Sequence, residues 1–159
     1  MKYKRFEDLP VWNDAIELAV RVFALTAQPA FRPYRGIRDQ VERSSVSVSN
    51  NIAEGFERGT TPELLTFLYI SRGSCGETRS VLCLCDRLPR LSNFKFEISD
   101  LRSRAESISR QLRAWADALQ NSEIRGQRYL TDKGRRATKE AREREEFLKE
   151  LEDIKARKR

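Results

Sequence analysis

Apolar residues recur at helical spacing in four stretches of this chain, and short polar or proline-bearing joints separate them. The first runs from about Leu9 to Thr26. Its apolar positions form two adjacent stripes, Val11-Ala15-Leu18-Val22-Leu25 and Trp12-Ile16-Ala19-Phe23, a pattern that predicts a wide buried face. Asp8 ahead of Pro10 is a start signal, with a side-chain oxygen for the orphan amides and a proline preset for the first turn. The second stretch begins near Tyr34 and carries Ile37, Val41, Ser45, Val48, Ile52 and Phe56 on its core line. It ends at Gly55 or shortly after, a natural left-handed stop. The third opens on Thr60-Thr61-Pro62-Glu63 and continues to about Leu88, before Pro89. It has Leu64, Leu68, Cys75, Leu82 and Cys85 on one line and Phe67, Ile70, Ser74, Val81, Leu84 and Leu88 on the next. The fourth, with Ser92 or Asn93 as its cap, steps by four and three through Phe94, Ile98, Leu101, Ala105, Ile108, Leu112, Trp115 and Leu119. β-Branched alternation is missing. The pattern predicts an all-α fold, an antiparallel up-down four-helix bundle over residues 1–121, with a charged C-terminal extension, helical or disordered, over 122–159. In that extension Thr131 or Asp132 stands as a helix cap, and Phe147, Leu148, Leu151 and Ile154 supply a short apolar patch.

The polar positions of the second helix are as informative as its apolar ones. Gln40, Ser44, Ser47, Asn51, Glu54 and Arg58 fall on one line, while Asn50 shares its side with Arg43. Serine replaces the strong helix formers here, so the segment needs a reason beyond intrinsic propensity. Short polar side chains let a second backbone come close and hydrogen-bond across the contact, which makes this line a packing or assembly motif ahead of a ligand site. Glu54 as a catalytic carboxylate has neither a nucleophile nor a second acid at useful spacing. The third helix has a similarly slender centre, Gly73-Ser74-Cys75-Gly76. Each glycine costs about 1 kcal/mol against alanine inside a helix, and close approach by another helix is the expected return. Glu54 and Glu77 are expected to pair with Arg43, Arg72 or Arg79.

Composition narrows the chemistry. The 159 residues contain no histidine, which removes the commonest metal ligand and the commonest general base near neutral pH. Cys75, Cys83 and Cys85 stand in no metal-ligand spacing and read as buried free thiols, so neither a metal nor another cofactor is expected. No run approaches the roughly 20 apolar residues of a membrane span, and Met1-Lys2-Tyr3-Lys4-Arg5 leads into no apolar signal core. A cytoplasmic protein is expected. Lys and Arg exceed Asp and Glu by 31 to 24, a net charge of +7, and 13 of those cations lie beyond Asn121 among 9 acids. Three basic groups are candidates for nucleic acid: Arg32, Arg35 and Arg38 at the start of the second helix, Arg102, Arg110 and Arg113 beside the fourth helix's seam, and Arg135 and Arg136 in the extension. Glu42, Glu57, Asp100 and Glu106 interrupt the field, and no helix-turn-helix signature or stacking module accompanies it. Shape-tolerant phosphate binding fits this pattern better than readout of base sequence.

Three motifs together resemble a known family. Phe6-x-x-Leu9-x-Val11-Trp12, the run Gln40-x-x-Arg43-Ser44-Ser45-x-Ser47-x-x-Asn50-Asn51-Ile52-Ala53-Glu54-Gly55, and Phe67-Leu68-x-Ile70-Ser71-x-Gly73-Ser74-x-Gly76-Glu77 are similar to those of the bacterial four-helix-bundle proteins encoded in intervening sequences of 23S ribosomal RNA genes. The resemblance spans roughly residues 3–120. It implies a small cytoplasmic bundle that assembles as a ring-like homopentamer and has a role near RNA. It also implies kinship with the accessory proteins of diversity-generating retroelements, which bind a reverse transcriptase and nucleic acid. Ser44 and Ser45 stand where relatives usually carry alanine, and the extension lies outside the shared region. The function expected is a non-enzymatic, oligomeric, RNA-associated bundle. The alternative is a protein-binding adaptor or scaffold, such as an accessory subunit of a reverse transcriptase.

Overall fold

The computed structural model describes residues 3–121, Glu140 and residues 143–149, and its regular structure is helical throughout, with no strand among the described residues. Four long helices are α1 (Pro10–Thr26), α2 (Arg35–Glu57), α3 (Thr61–Cys85) and α4 (Lys95–Gln120). Short 3-10 segments at Phe6–Asp8, Pro29–Phe31 and Pro89–Phe94 precede α1, α2 and α4. The chain divides into two compact units, Met1–Gly126 and Gln127–Arg159. In the second, Glu140 and residues 143–149 are helical. Thr131, Asp132, Arg135, Arg136, Leu151 and Ile154 lie outside the described residues.

Helix starts follow proline more than side-chain caps. Pro10 is the first residue of α1, but Asp8 belongs to the preceding 3-10 turn, and the residue at the cap is Leu9, in extended conformation. Asn13 holds this entrance from inside the helix, donating from Nδ2 to the carbonyls of Glu7 (2.9 Å) and Leu9 (3.0 Å). Ser92 and Asn93 likewise do not cap α4, because both lie in the 3-10 segment begun by Pro89 and the helix starts after Phe94. The start expected at Thr60 is capped by its side chain: Thr60 Oγ1 accepts from the Glu63 amide (3.4 Å) and donates to Glu63 Oε2 (2.7 Å). That helix ends at Cys85 and not near Leu88. Leu88 precedes Pro89, whose ring pushes it out of the helical region, and its ψ of 122° is extended.

Neighbouring helices meet in reversed order along their lengths. Between α2 and α3, Ser44 meets Thr78, Ser47 meets Ser74 and Val48 meets Ser71. Between α1 and α4, Gln111 donates to Asp14 at 2.8 Å and Arg21 lies 2.5 Å from Asp100. Between α3 and α4, Gln120 reaches the Tyr69 hydroxyl at 2.9 Å, whereas Arg79 sits 3.6 Å from Glu106 near the middle of α4. The α1–α2 and α3–α4 connections touch each other. Phe31 and Leu91 are fully buried there, and the Phe31 and Phe94 rings are 6.5 Å apart.

The core takes one apolar line from each helix: Val11, Ala15, Leu18 and Val22; Val41, Val48, Ile52 and Phe56; Leu64, Leu68, Cys75 and Leu82; and the α4 series from Ile98 to Leu112. The wide face expected on α1 is narrower. Ile16 is 37% and Phe23 47% exposed, since α1 has α2 and α4 as its main neighbours and this second stripe faces neither squarely. Ile70 and Leu84, on the second line of α3, are exposed for the same reason. α2 ends at Glu57, shortly after Gly55 as expected, but Gly55 is not left-handed, since no described glycine has a positive φ. Its role is proximity: a Cβ there would stand 2.6 Å from Phe67 Cβ and 3.3 Å from Leu64 Cδ1.

Two predictions test this packing. Gly55→Ala gains helix propensity worth up to about 1 kcal/mol, but it forces backbone-near atoms apart at a cost of about 1–3 kcal/mol. The expected net result is a destabilised protein, read as a lower urea midpoint with unchanged m-value. Burial pushes the Cys75 thiol up to about 12 and the Cys85 thiol up to about 11, while Cys83 is half-buried. Titration of the native protein with a thiol-specific disulfide reagent at pH 8 should therefore modify Cys83 quickly and the other two only on unfolding.

Candidate functional site

The serine-rich line of α2 faces α3, and the two helices close over a ladder of short polar side chains. Ser47 Oγ and Ser74 Oγ are 2.9 Å apart. Thr78 Oγ1 lies 2.9 Å from both Ser44 Oγ and the Ser74 carbonyl, so its single hydrogen is shared between them. Ser71 Oγ donates to the Val48 carbonyl at 2.9 Å, a hydroxyl of one helix supplying a second bond to the backbone of the other. Ser44, Ser71 and Thr78 are buried, and each has a partner. Asn51 donates to the Ser47 carbonyl at 2.7 Å, and Gln40 donates to the Glu77 carboxylate further along the contact. Gly55 continues the same seam, with Leu64 and Phe67 at the closest approach.

The slender α2–α3 seam is what the second and third motifs encode. Ser71, Ser74 and Thr78, at intervals of three and four, bring hydroxyls from α3 to the face that α2 covers. Sequence reasoning singled out Ser44 and Ser47 but missed Ser71 and Thr78 as their partners. The signal that could have found them is this helical spacing of hydroxyls opposite a serine line.

The other expectations for the motif change. Gly73 and Gly76 are exposed on α3, and a Cβ at either would meet nothing within 4 Å, so among the described residues no helix comes close to them. Glu54 pairs neither with Arg43 nor with Arg72 or Arg79. Its carboxylate accepts from Arg58 at 2.6 Å, one helical turn away on the surface, and this bond raises the Arg58 pKa. Arg58 also lies over the Phe67 ring, 5.1 Å from its centroid. Arg72 sits over Tyr69 at 5.7 Å, and Glu77 is engaged by Gln40. Charge pairing in the motif is therefore local and solvent-facing.

Outside the seam, α2 borders an open hollow of ≈ 720 Å³. Gln40, Arg43, Ser44, Ser47, Asn50 and Glu77 line it together with Phe23 of α1. Arg43 and Asn50 are exposed and form no hydrogen bond or ion pair among the described residues. The hollow thus combines one free guanidinium, one free amide and an exposed aromatic ring. Asp39 and Glu42 also line it, its hydroxyls Ser44 and Ser47 bond to the Val41 carbonyl and to Ser74, and no group of three acidic or thiol side chains is placed to hold a metal among the described residues.

The basic candidates divide in two. Arg102 lies 3.7 Å from Asp86, Arg110 3.1 Å from Glu106 and Arg113 3.6 Å from Asp117. Arg38 lies 3.4 Å from Asp39 and 3.9 Å from Glu42. Asp100, one of the acids that interrupt the field, is held below its ordinary pKa by the Arg104 hydrogen bond and then by the Arg21 charge. Arg32 and Arg35 are exposed and take part in no ion pair among the described residues.

Ser44 offers a direct test of the seam. Ser44→Ala leaves Thr78 its bond to the Ser74 carbonyl, so the expected cost is under about 1 kcal/mol. Ser44→Leu inserts bulk at a buried position facing Thr78 and should cost about 1–3 kcal/mol, both read by urea denaturation.

A model of the 23S rRNA-intervening sequence protein family matches residues 7–114 of the chain. No curated protein matches it. The family match takes in the second and third motifs whole and the first from Leu9 onward, with both sides of the hydroxyl seam and Gly55, and covers well over half of the sequence. The chain belongs to the 23S rRNA-intervening sequence protein family.

Proposed function

We propose that this protein is a non-enzymatic, oligomeric RNA-associated factor of the cytoplasm, whose four long helices form an up-and-down antiparallel bundle. The observation that carries the RNA reading is the surplus of positive charge: the chain is +7 overall, and Arg32, Arg35 and Arg43 remain without acidic partners among the described residues. Such cations release condensed counterions when they meet phosphates, which supplies affinity without base readout. The family's description, which refers to intervening sequences of 23S rRNA, supports the same reading. The reversed order of contacts between neighbouring helices supports the bundle topology.

Assembly has separate support. Ile16, Val20 and Phe23 form one exposed apolar stripe on α1, and Gly73 and Gly76 leave open space on α3. A second copy of this chain is the natural cover for an apolar stripe of that kind, and the resemblance implies five copies in a ring. Repetition around such an assembly multiplies weak phosphate contacts through effective concentration.

A second reading is an adaptor whose α1 stripe holds a different protein, such as a reverse transcriptase. Phe23 favours it, because the ring is exposed at the edge of the hollow lined by the family motif.

The test is a mobility shift with structured RNA at about 50 and 200 mM salt, together with oligomer mass and the ultraviolet absorbance ratio of protein purified at low salt. Three phosphate contacts per binding event should weaken affinity by about 20- to 40-fold between the two salts. Absence of binding at low salt, or binding indifferent to salt, overturns the RNA reading. A monomer overturns assembly, and a stable complex with one protein and no RNA favours the adaptor.

A further inference from the structure

The fold gathers cations that are far apart in sequence. Arg32 follows the Pro29–Phe31 turn and Arg35 opens α2; Arg87 and Arg90 flank the start of the Pro89–Phe94 turn, and Lys95 opens α4. These two connections touch, with Phe31, Leu91 and Phe94 packed beneath them. All five cations are exposed, and none joins an ion pair among the described residues. Of the acids near this end, Asp39 faces Arg38 at 3.4 Å and Asp86 faces Arg102 at 3.7 Å. Glu97 is the remaining acid in these two segments.

The opposite end differs in kind. There Arg5 is held by Glu7 at 2.8 Å, Arg58 by Glu54 at 2.6 Å and Arg113 by Asp117 at 3.6 Å, with Asp8, Glu57 and Glu63 close by in sequence. Among the described residues of the four helices and their connections, unpaired cations therefore cluster at this end, with Lys4 and Arg43 elsewhere, while Arg104 and Arg110 on α4 are paired with acids one turn away.

One more side chain belongs to the basic end. Phe96, the second residue of α4, is 83% exposed, more than any other large hydrophobic residue described. It lies beside Lys95 and in the helical turn that follows the Arg90-bearing connection. An aromatic ring left in water at the same end of the helices as unpaired cations has the chemistry of a site for unpaired nucleotides: the ring stacks a base, and guanidinium and ammonium groups take the neighbouring phosphates. A paired helix keeps its bases stacked on each other and offers no free base face to Phe96.

We propose that the end of the molecule formed by the α1–α2 and α3–α4 connections binds unpaired RNA, with a base stacked on Phe96 and phosphates on Arg32, Arg35, Arg87, Arg90 and Lys95. This deepens the RNA reading and rests on it. Selectivity for RNA over a protein partner follows from the combination of one ring with several separated cations, since each phosphate along a strand can meet a different one.

The experiment uses the full-length protein with a 12-nucleotide oligouridylate and an RNA hairpin of matched length. Binding is measured at several salt concentrations for the wild type, Phe96→Ala, the end variant Arg32→Gln/Arg35→Gln/Arg90→Gln/Lys95→Gln, and the control Lys4→Gln/Arg5→Gln/Arg110→Gln/Arg113→Gln. The two multiple variants lose the same charge. The wild type should prefer oligouridylate, and Phe96→Ala should lose about 5- to 150-fold on it with little change in salt slope. The end variant should lose about 0.7 of salt slope for each phosphate contact removed, and the control should stay near wild type. All substituted side chains in the end variant are exposed, and circular dichroism melting verifies the fold. Equal binding by the end variant, Phe96→Ala and the control overturns the assigned surface while leaving RNA association standing. A wild type that binds neither RNA overturns both. Loss of oligomer mass in Phe96→Ala with unchanged RNA affinity overturns the stacking role and makes Phe96 a contact between copies.

Discussion

Close approach of α2 and α3 is the constraint on which the rest of the structure depends. Two helices can come this near only where the side chains between them are small, and here those are serines, a threonine and one glycine. Small apolar residues would give the same distance. Hydroxyls add directional bonds: Ser71 fixes its position on the Val48 carbonyl, and the Ser44–Thr78 and Ser47–Ser74 pairs set the register. The larger side chains of both helices then point to the sides of the seam. Val41, Val48, Ile52 and Phe56 meet the α1 and α4 lines in the core, and the seam's free edge opens into the hollow that Arg43 and Asn50 border.

The same constraint explains what was legible in the sequence. Heptad-like repetition in α4 and the inner stripe of α1 need only periodicity, and both took their expected places. The Thr60-Glu63 cap is local chemistry, as is the proline start of α1. Errors came where a residue has two uses. Gly55 at the end of a helical pattern has the look of a left-handed stop, yet the space beside Phe67 is what demands it. Asp8, Ser92 and Asn93 are good caps by type, but adjacent 3-10 turns absorbed them.

Surface features were harder to read because they depend on which elements become neighbours. The charged pairs expected for Glu54 and Glu77 required partners on other turns or helices. Glu54 instead found Arg58 one turn away, and Gln40 reached Glu77 first. Arg87, Arg90 and Lys95 carry no motif, and they join Arg32 and Arg35 only because Phe31 and Phe94 bring two connections together. Gly73 and Gly76 show the reverse: a small-residue pair that the sequence assigns to packing has no neighbour within 4 Å of its Cβ positions among the described residues.

The order of helices along the chain also decides where closure is expensive. The step from α2 to α3 crosses only Arg58, Gly59 and Thr60, so their shared seam joins residues brought near by a very short loop. The α1–α4 contact is different, since Gln111 and Asp14 are 97 residues apart. Loop entropy is thus concentrated in a single contact, the one that brings the first helix against the last. Among the described helices the α2–α3 hairpin closes the shortest loop and the α1–α4 contact the longest, so loop closure costs least at the hydroxyl seam and most where the first helix meets the last.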